Sequence, residues 1–177
     1  VFNYLSTIKE CKTVQVAESY QARGFDKYKF TVECMRNGID IIYQGVLHDL
    51  DNNIYGCPDF MIRSDKINDI LNFKCLEDNE KNIVSPKLGL DFHYVIIDVK
   101  NSTVEYTVDK LHIRNSKCMP SNKGQIYLYT KCLEHIQGYE PTCGFVIGNR
   151  TIHRGVVNDM FMEAIGRISY DSRDFKY

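Results

Sequence analysis

What this chain lacks narrows its class before any motif is read. It has no excess of positive charge: 22 Lys+Arg stand against 23 Asp+Glu, a formal net charge of −1. A protein that holds a polyanion by total charge alone is excluded, so a nucleic-acid partner would have to be recognised locally. No apolar run approaches the roughly 20 residues of a membrane span. The opening VFNYLSTIKE lacks the basic flank and apolar block of a secretory signal. We therefore expect an intracellular protein, cytoplasmic or nuclear, that is neither secreted nor membrane-bound. An initiator Met is also missing, which fits either a processed product or a domain excised from a larger protein with flanking domains or protein partners. The seven cysteines (Cys11, Cys34, Cys57, Cys75, Cys118, Cys132 and Cys143) include no CxxC pair. Their odd number and scatter speak against a disulfide framework or a structural zinc site, and favour reduced thiols, several of them buried. Repeats and low-complexity stretches are absent.

What is present suits one domain with a real core: 177 residues, 44% of them hydrophobic. The region up to Arg23 reads as one or two helices, and residues 26–36 as a further helix closed by Asn37-Gly38. The pattern then changes. Residues 39–47 (IDIIYQGVL) are rich in β-branched and aromatic side chains, residues 48–53 are turn chemistry, and residues 54–63 (IYGCPDFMIR) read as a returning strand. Pro58 cannot donate to a ladder, so this hairpin is bulged or at an edge there. Residues 65–73 fit a short helix, residues 76–90 a loop, and residues 93–99 (HYVIIDV) a buried strand. A further strand over 103–113 is broken at Asp109-Lys110. Residues 121–137 are the clearest helix, with Ser121 or Asn122 as cap and Gly138 at the C-terminal glycine position. Residues 143–148 (CGFVIG) read as a strand and 156–165 as a helix. The order implies an α/β fold, a mixed α+β sheet flanked by helices.

Three places carry chemistry. In a strand, alternate residues share a face, so Asp98 and Lys100 project together while Ile97 and Val99 point the other way. An acid ending a run as apolar as YVII is costly unless something uses it, and a divalent cation would. A lysine beside that cation could orient a water or steady phosphate charge. Taken alone, this Asp-Val-Lys also fits a surface ion pair at a strand end. Asp59, after Pro58, lies inside an apolar strand. A bulge there would re-aim it at a site, and a plain Pro-Asp turn is the alternative. Two carboxylates at neighbouring strand ends make a hard-oxygen site suited to Mg²⁺ or Mn²⁺. On the long helix, Gln125 and Tyr129 are one turn apart and share a face, with Lys123 near the N-terminus where anions are favoured. Tyr129 packed in the core and Gln125 in solvent would explain them equally.

Taken together, Pro58-Asp59, then Asp98-Val99-Lys100 after an apolar strand, then Gln125-xxx-Tyr129 on the next helix, resemble the motif series of the PD-(D/E)XK nucleases. The likeness is to the RecB-like branch and spans residues 30–149. It implies a restriction-endonuclease-like core within a single nuclease domain of residues 1–177, with a core over 26–149 and a C-terminal extension over 150–177. By that resemblance Asp59 and Asp98 ligate the metal, the Val99 carbonyl adds a ligand, and Lys100 assists the attacking water. Gln125 and Tyr129 position the scissile strand. His48 is the matching upstream histidine ligand, and Glu33, with Glu18 behind it, the matching early-helix acid. Some relatives carry an iron–sulfur cluster. Here Cys118, Cys132 and Cys143 contain no close pair, so none is expected. The implied activity is divalent-metal-dependent phosphodiester hydrolysis, with DNA as partner and substrate. Arg150, Arg154, Arg167 and Arg173 could track its backbone. The rivals are a cap-snatching type of RNA endonuclease and a catalytically inactive nucleic-acid-binding domain.

Overall fold

The computed structural model describes residues 1–7, 11–21, 23–160, 162–171 and 175. Helices α1 (Phe2–Leu5), α2 (Phe25–Arg36), α3 (Ile67–Leu71), α4 (Asp78–Lys81) and α5 (Met119–Gln137) alternate with eleven strands. These are β1 (Thr13–Gln15), β2 (Ile41–Tyr43), β3 (Leu47–Asp49), β4 (Ile54–Gly56), β5 (Phe60–Arg63), β6 (Tyr94–Val99), β7 (Thr103–Glu105), β8 (Cys143–Ile147), β9 (Arg150–His153), β10 (Val156–Asn158) and β11 (Ile165–Ser169). The chain is a mixed α/β fold with mixed sheets flanked by helices. It divides into two compact units, one of Val1–Ile96 with Leu128–Pro141 and one of Ile97–Tyr127 with Thr142–Tyr177. Strand β6 and helix α5 each contribute residues to both.

In the first unit the strand order is β1-β2-β5-β6. β1 runs parallel to β2, and β2 antiparallel to β5, with Ile41 opposite Ile62 and Tyr43 opposite Phe60. The expected hairpin is there, divided in two. Its base is β2 with β5, and its tip is the antiparallel ribbon β3 with β4, His48 facing Tyr55. The division falls where the sequence placed the bulge. Gln44 takes a left-handed φ of 50° and donates to the Asp59 carbonyl at 2.8 Å. Val46 leaves the ladder to donate to Thr31 Oγ1 of α2 at 2.8 Å. Helix α2 packs on β2 and β3 through buried Thr31, Cys34 and Met35.

The end of α5 closes this unit. Gln137, fully buried, accepts from the Tyr94 amide at 2.9 Å and donates to the Tyr94 carbonyl at 3.3 Å, so a side-chain amide stands in for a strand neighbour. Gly138 follows at φ +77°, where a Cβ would meet Lys87 and Pro86, as a helix-terminating glycine should. Tyr94, also buried, donates its hydroxyl to the Ile39 carbonyl at 2.7 Å, and burial pushes its pKa well up.

In the second unit β6 pairs parallel with β8, Asp98 opposite Val146, and β8 antiparallel with β11. A smaller sheet has the order β10-β9-β7.

Three expectations are corrected. The early region holds a strand, β1, and a 3-10 turn at Ser19–Gln21 beside the short α1, while residues 8–10 and 22 lie outside the described residues. The long helix begins at Met119, with Pro120 inside its first turn, so neither Ser121 nor Asn122 is its cap. Residues 156–165 are not helical: β10 occupies their start and β11 begins at their end, with Phe161 outside the described residues. No disulfide joins the seven cysteines, and Cys34, Cys75, Cys132 and Cys143 are buried. Among the described residues no helix is long and apolar enough to cross a membrane.

The most enclosed carboxylate of the first unit among the described residues is Asp40, 2% exposed before β2. It accepts from the Lys12 amide at 2.9 Å and pairs with Lys66 at 2.9 Å and Arg63 at 3.1 Å. Burial pushes its carboxyl up, but the Lys12 amide and the two cations outweigh that and hold it below 3.8. A depressed folded pKa means that its stabilisation is present above the unfolded value and lost as pH falls through the folded one. Asp40→Asn should therefore destabilise the chain at pH 7 by about 1–3 kcal/mol. In urea unfolding, the gap between wild type and variant should close below about pH 3.8.

Candidate functional site

The strand β6 is buried from Tyr94 to Asp98. Its side chains Tyr94, Val95, Ile96 and Ile97 are each 0% exposed, and Asp98 follows at 3%. A carboxylate in such a place needs counter-charge or hydrogen bonds. Lys100 meets it: the ammonium forms an ion pair with Asp98 Oδ2 and donates to Gln125 Oε1 at 2.7 Å. The strand period puts Asp98 and Lys100 on one face, and the Lys100 amide donates to the Ile147 carbonyl at 2.8 Å, which extends the β6–β8 pairing past Val99. Asp98, Lys100 and Gln125 are thus brought together within the second unit, and Val99 lies between the first two. Lys100 remains about a quarter exposed, with 24% of its side chain reaching solvent. An anion could approach it there.

The other expected site residues belong to the first unit. Asp59 is half-buried at the hairpin's break, directly after buried Pro58. It lies near Tyr43, whose hydroxyl is pushed up by burial and then by the Asp59 charge. Tyr129 packs on β4 at Gly56: a Cβ there would overlap ring atoms Cδ1 and Cε1 of Tyr129. Gly56 was not singled out from the sequence, yet only a residue without a side chain lets this ring lie against the backbone three positions before Asp59. His48 sits on β3 among Phe25, Tyr28 and Tyr55, with ring centroids 6.0, 5.3 and 6.2 Å away. Its Nε2 is buried and has no hydrogen-bond partner among the described residues. An imidazole nitrogen without a hydrogen-bond partner is of the type that binds metal ions.

Two expected residues are placed otherwise than their roles need. Lys123 is 1% exposed, and its ammonium donates to the Ile113 carbonyl at 2.6 Å and to Asn115 Oδ1 at 2.8 Å. It braces the segment before α5 from inside, and a buried ammonium does not offer itself to an arriving phosphate. Glu33 lies on the exposed side of α2, and Glu18 is exposed beside Gln15, which donates to it at 3.3 Å. Among the tail arginines, Arg150 donates to Thr103 at 3.1 Å and Arg154 to the Val108 carbonyl at 3.3 Å. Arg167 lies on β11, and Arg173 is outside the described residues.

In the sequence, residues 48–53 read as turn chemistry, with His48 the one ligand candidate among them. Within the first unit Asp49, Asp51 and His135 form a group that could hold a metal ion, their ligand atoms all within 4.8 Å of one another. Asp49 is buried, and Asn52 holds it by its backbone and side-chain nitrogens at 3.2 and 2.8 Å, which keeps its carboxyl below the ordinary range. Nothing in the local sequence pointed to His135, which approaches this turn from far along the chain.

Comparison with known proteins returns no match: no family model fits the chain, and no curated protein and no solved structure is significantly similar to it.

The packing of Tyr129 on Gly56 makes a local test. Gly56→Ala should destabilise the chain by about 1–3 kcal/mol, the cost of overpacking. In a Tyr129→Ala background the same substitution should cost far less. Thermal unfolding of the two single variants and the double variant measures this coupling.

Proposed function

We propose that this chain is a divalent-metal-dependent nuclease with a PD-(D/E)XK-type core, hydrolysing phosphodiester bonds in DNA. The observation that carries the proposal is the meeting of a buried strand-end carboxylate, a lysine two residues on and a helix glutamine: Asp98, Lys100 and Gln125. The sequence motif requires these residue types in this order, and their mutual contacts support the reading. By sequence Asp59, at the hairpin's break, is the other acid of the motif, and the buried Nε2 of His48 has no hydrogen-bond partner among the described residues.

In this proposal Asp98 would hold Mg²⁺ or Mn²⁺, whose hard or borderline character suits a carboxylate oxygen. When bound, the cation polarises the phosphate and lowers the pKa of a water. Lys100 presents its ammonium to the charge that develops on the phosphate, where a positioned cation in a partly dry site acts strongly. Gln125 holds that ammonium at 2.7 Å, so the amine is oriented before substrate arrives. Tyr129, seated on Gly56, is the residue to which the motif assigns contact with the strand being cut.

Incubation of oligonucleotides with the protein in Mn²⁺ tests the proposal. Wild type should cleave them, and EDTA should stop it. Asp98→Asn, Asp59→Asn and Lys100→Ala should each lose about 100-fold or more in rate while keeping the wild-type circular dichroism spectrum. Gln125→Ala should lose less, because it acts through Lys100. Cleavage at equal rates by wild type and all four variants, or no cleavage by wild type with any divalent cation, would overturn it.

A further inference from the structure

The segment that enters α2 reads YQARGFDKYKF, with Arg23, Lys27 and Lys29 against a single acid, Asp26. Four of its residues are aromatic, so the basic side chains are interleaved with rings in a chain of balanced total charge. The folded first unit makes a continuous surface of this pattern. Phe25 stacks on Tyr28 with centroids 5.5 Å apart and planes 26° apart, and both rings touch His48. His48 in turn touches Tyr55 of β4. Each end of the row carries a cation: Lys29 stands 5.0 Å from the Phe25 centroid and Arg23 5.0 Å from the Tyr55 centroid. Phe25 and Tyr55 are 46% and 48% exposed.

Packing inside the unit accounts for Tyr28 but not for two half-exposed rings held in a row with basic groups at both ends. We infer that this row is a binding platform for single-stranded nucleic acid, whose bases stack on Phe25 and Tyr55 while Arg23 and Lys29 meet the flanking phosphates. The inference rests on the nuclease proposal for its biological setting and names the substrate form that the site receives. Charge selects the occupant. Cations already lie over both outer rings, so a quaternary ammonium guest would be repelled. A ligand that joins planar π faces to anionic links matches both features of the surface. Double-stranded nucleic acid keeps its bases stacked internally and offers the platform only phosphates.

The test is fluorescence anisotropy of the whole chain in EDTA, where cleavage cannot occur, with a labelled single-stranded oligothymidine, an oligouridine of the same length and a duplex. Wild type should bind at least one of the single strands more tightly than the duplex, and the preferred one of the two identifies DNA or RNA. Phe25→Ala and Tyr55→Ala should each weaken single-strand binding about fivefold to a hundredfold and leave duplex binding nearly unchanged. Tyr55→Phe keeps the ring and should keep the affinity, which separates stacking from loss of fold. Arg23→Ala should lower the slope of log affinity against log salt by about one. Tighter binding of duplex than of either single strand, or equal single-strand affinity in wild type, Phe25→Ala and Tyr55→Ala, would overturn the platform. The two proposals fail separately: single-strand binding that needs these rings, without any metal-dependent cleavage, would sink the nuclease proposal alone. Cleavage lost in Asp98→Asn but indifferent to Phe25 and Tyr55, with binding likewise indifferent, would sink the platform alone.

Discussion

Asp98 has to keep a carboxylate where only 3% of its surface reaches water, at the end of four side chains that reach none. Ionised groups in such surroundings are held by partners or they neutralise, and here the partner is local. The strand period brings Lys100 to the same face, so the ion pair needs no rearrangement of distant chain. Gln125 then accepts from the same ammonium and fixes its direction. The parallel pairing of β6 with β8 supports this arrangement, since it continues past Val99 through the Lys100 amide and keeps the backbone of the motif in one geometry. An apolar residue at 98 would pack with less cost. In the proposed role, the same pair would open to a cation on the carboxylate side and to an anion on the ammonium side.

The hairpin shows a related trade between regularity and placement. A straight ladder would pair residues 41–63 without a break. Instead Gln44 adopts a left-handed turn opposite Asp59, Val46 exchanges its strand partner for Thr31 of α2, and the ribbon of β3 and β4 continues separately. Pro58 made this break readable from sequence, because a residue with no N–H cannot sit in a continuous ladder. Runs of β-branched residues likewise announced β6 and β8. The amphipathic stretch before Asn37-Gly38 announced α2, and Gly138 the end of α5. The pairing of Asp98 with Lys100 was legible because a two-residue period leaves no freedom in which side chains share a face.

What escaped the sequence was decided by contacts between distant segments or by unusual backbone angles. Residues 156–165 carry Val156, Val157, Met160, Ala164 and Ile165 at spacings that fit a helix. Arg154 and Gly155, at φ 50° and 78°, instead make a two-residue turn that sends Val156 back opposite His153, as the primed turns of hairpins do. A glycine there was a cue, but an arginine at positive φ gives none. Lys123 looked like an anion contact because helix starts favour anions. The segment before the helix folds back over it and supplies two oxygen acceptors. Gly56 was silent because the ring that needs its bare backbone comes from α5. Periodicity cannot report what arrives from another element.

A near-zero net charge places a physical condition on any nucleic-acid role. Counterion release scales with the number of phosphates met by cations, so a chain at −1 gains nothing from its total and must concentrate basic groups. The chain does this in the segment Tyr20 to Phe30, which holds three cations and one acid. The same segment carries rings, and the fold adds His48 and Tyr55 to them from the hairpin tip. Stacking is insensitive to salt and to base identity, whereas a few phosphate contacts alone would be screened at physiological ionic strength. A surface that combines the two can hold an unpaired strand with few charges, which is the form of recognition open to a protein of this composition.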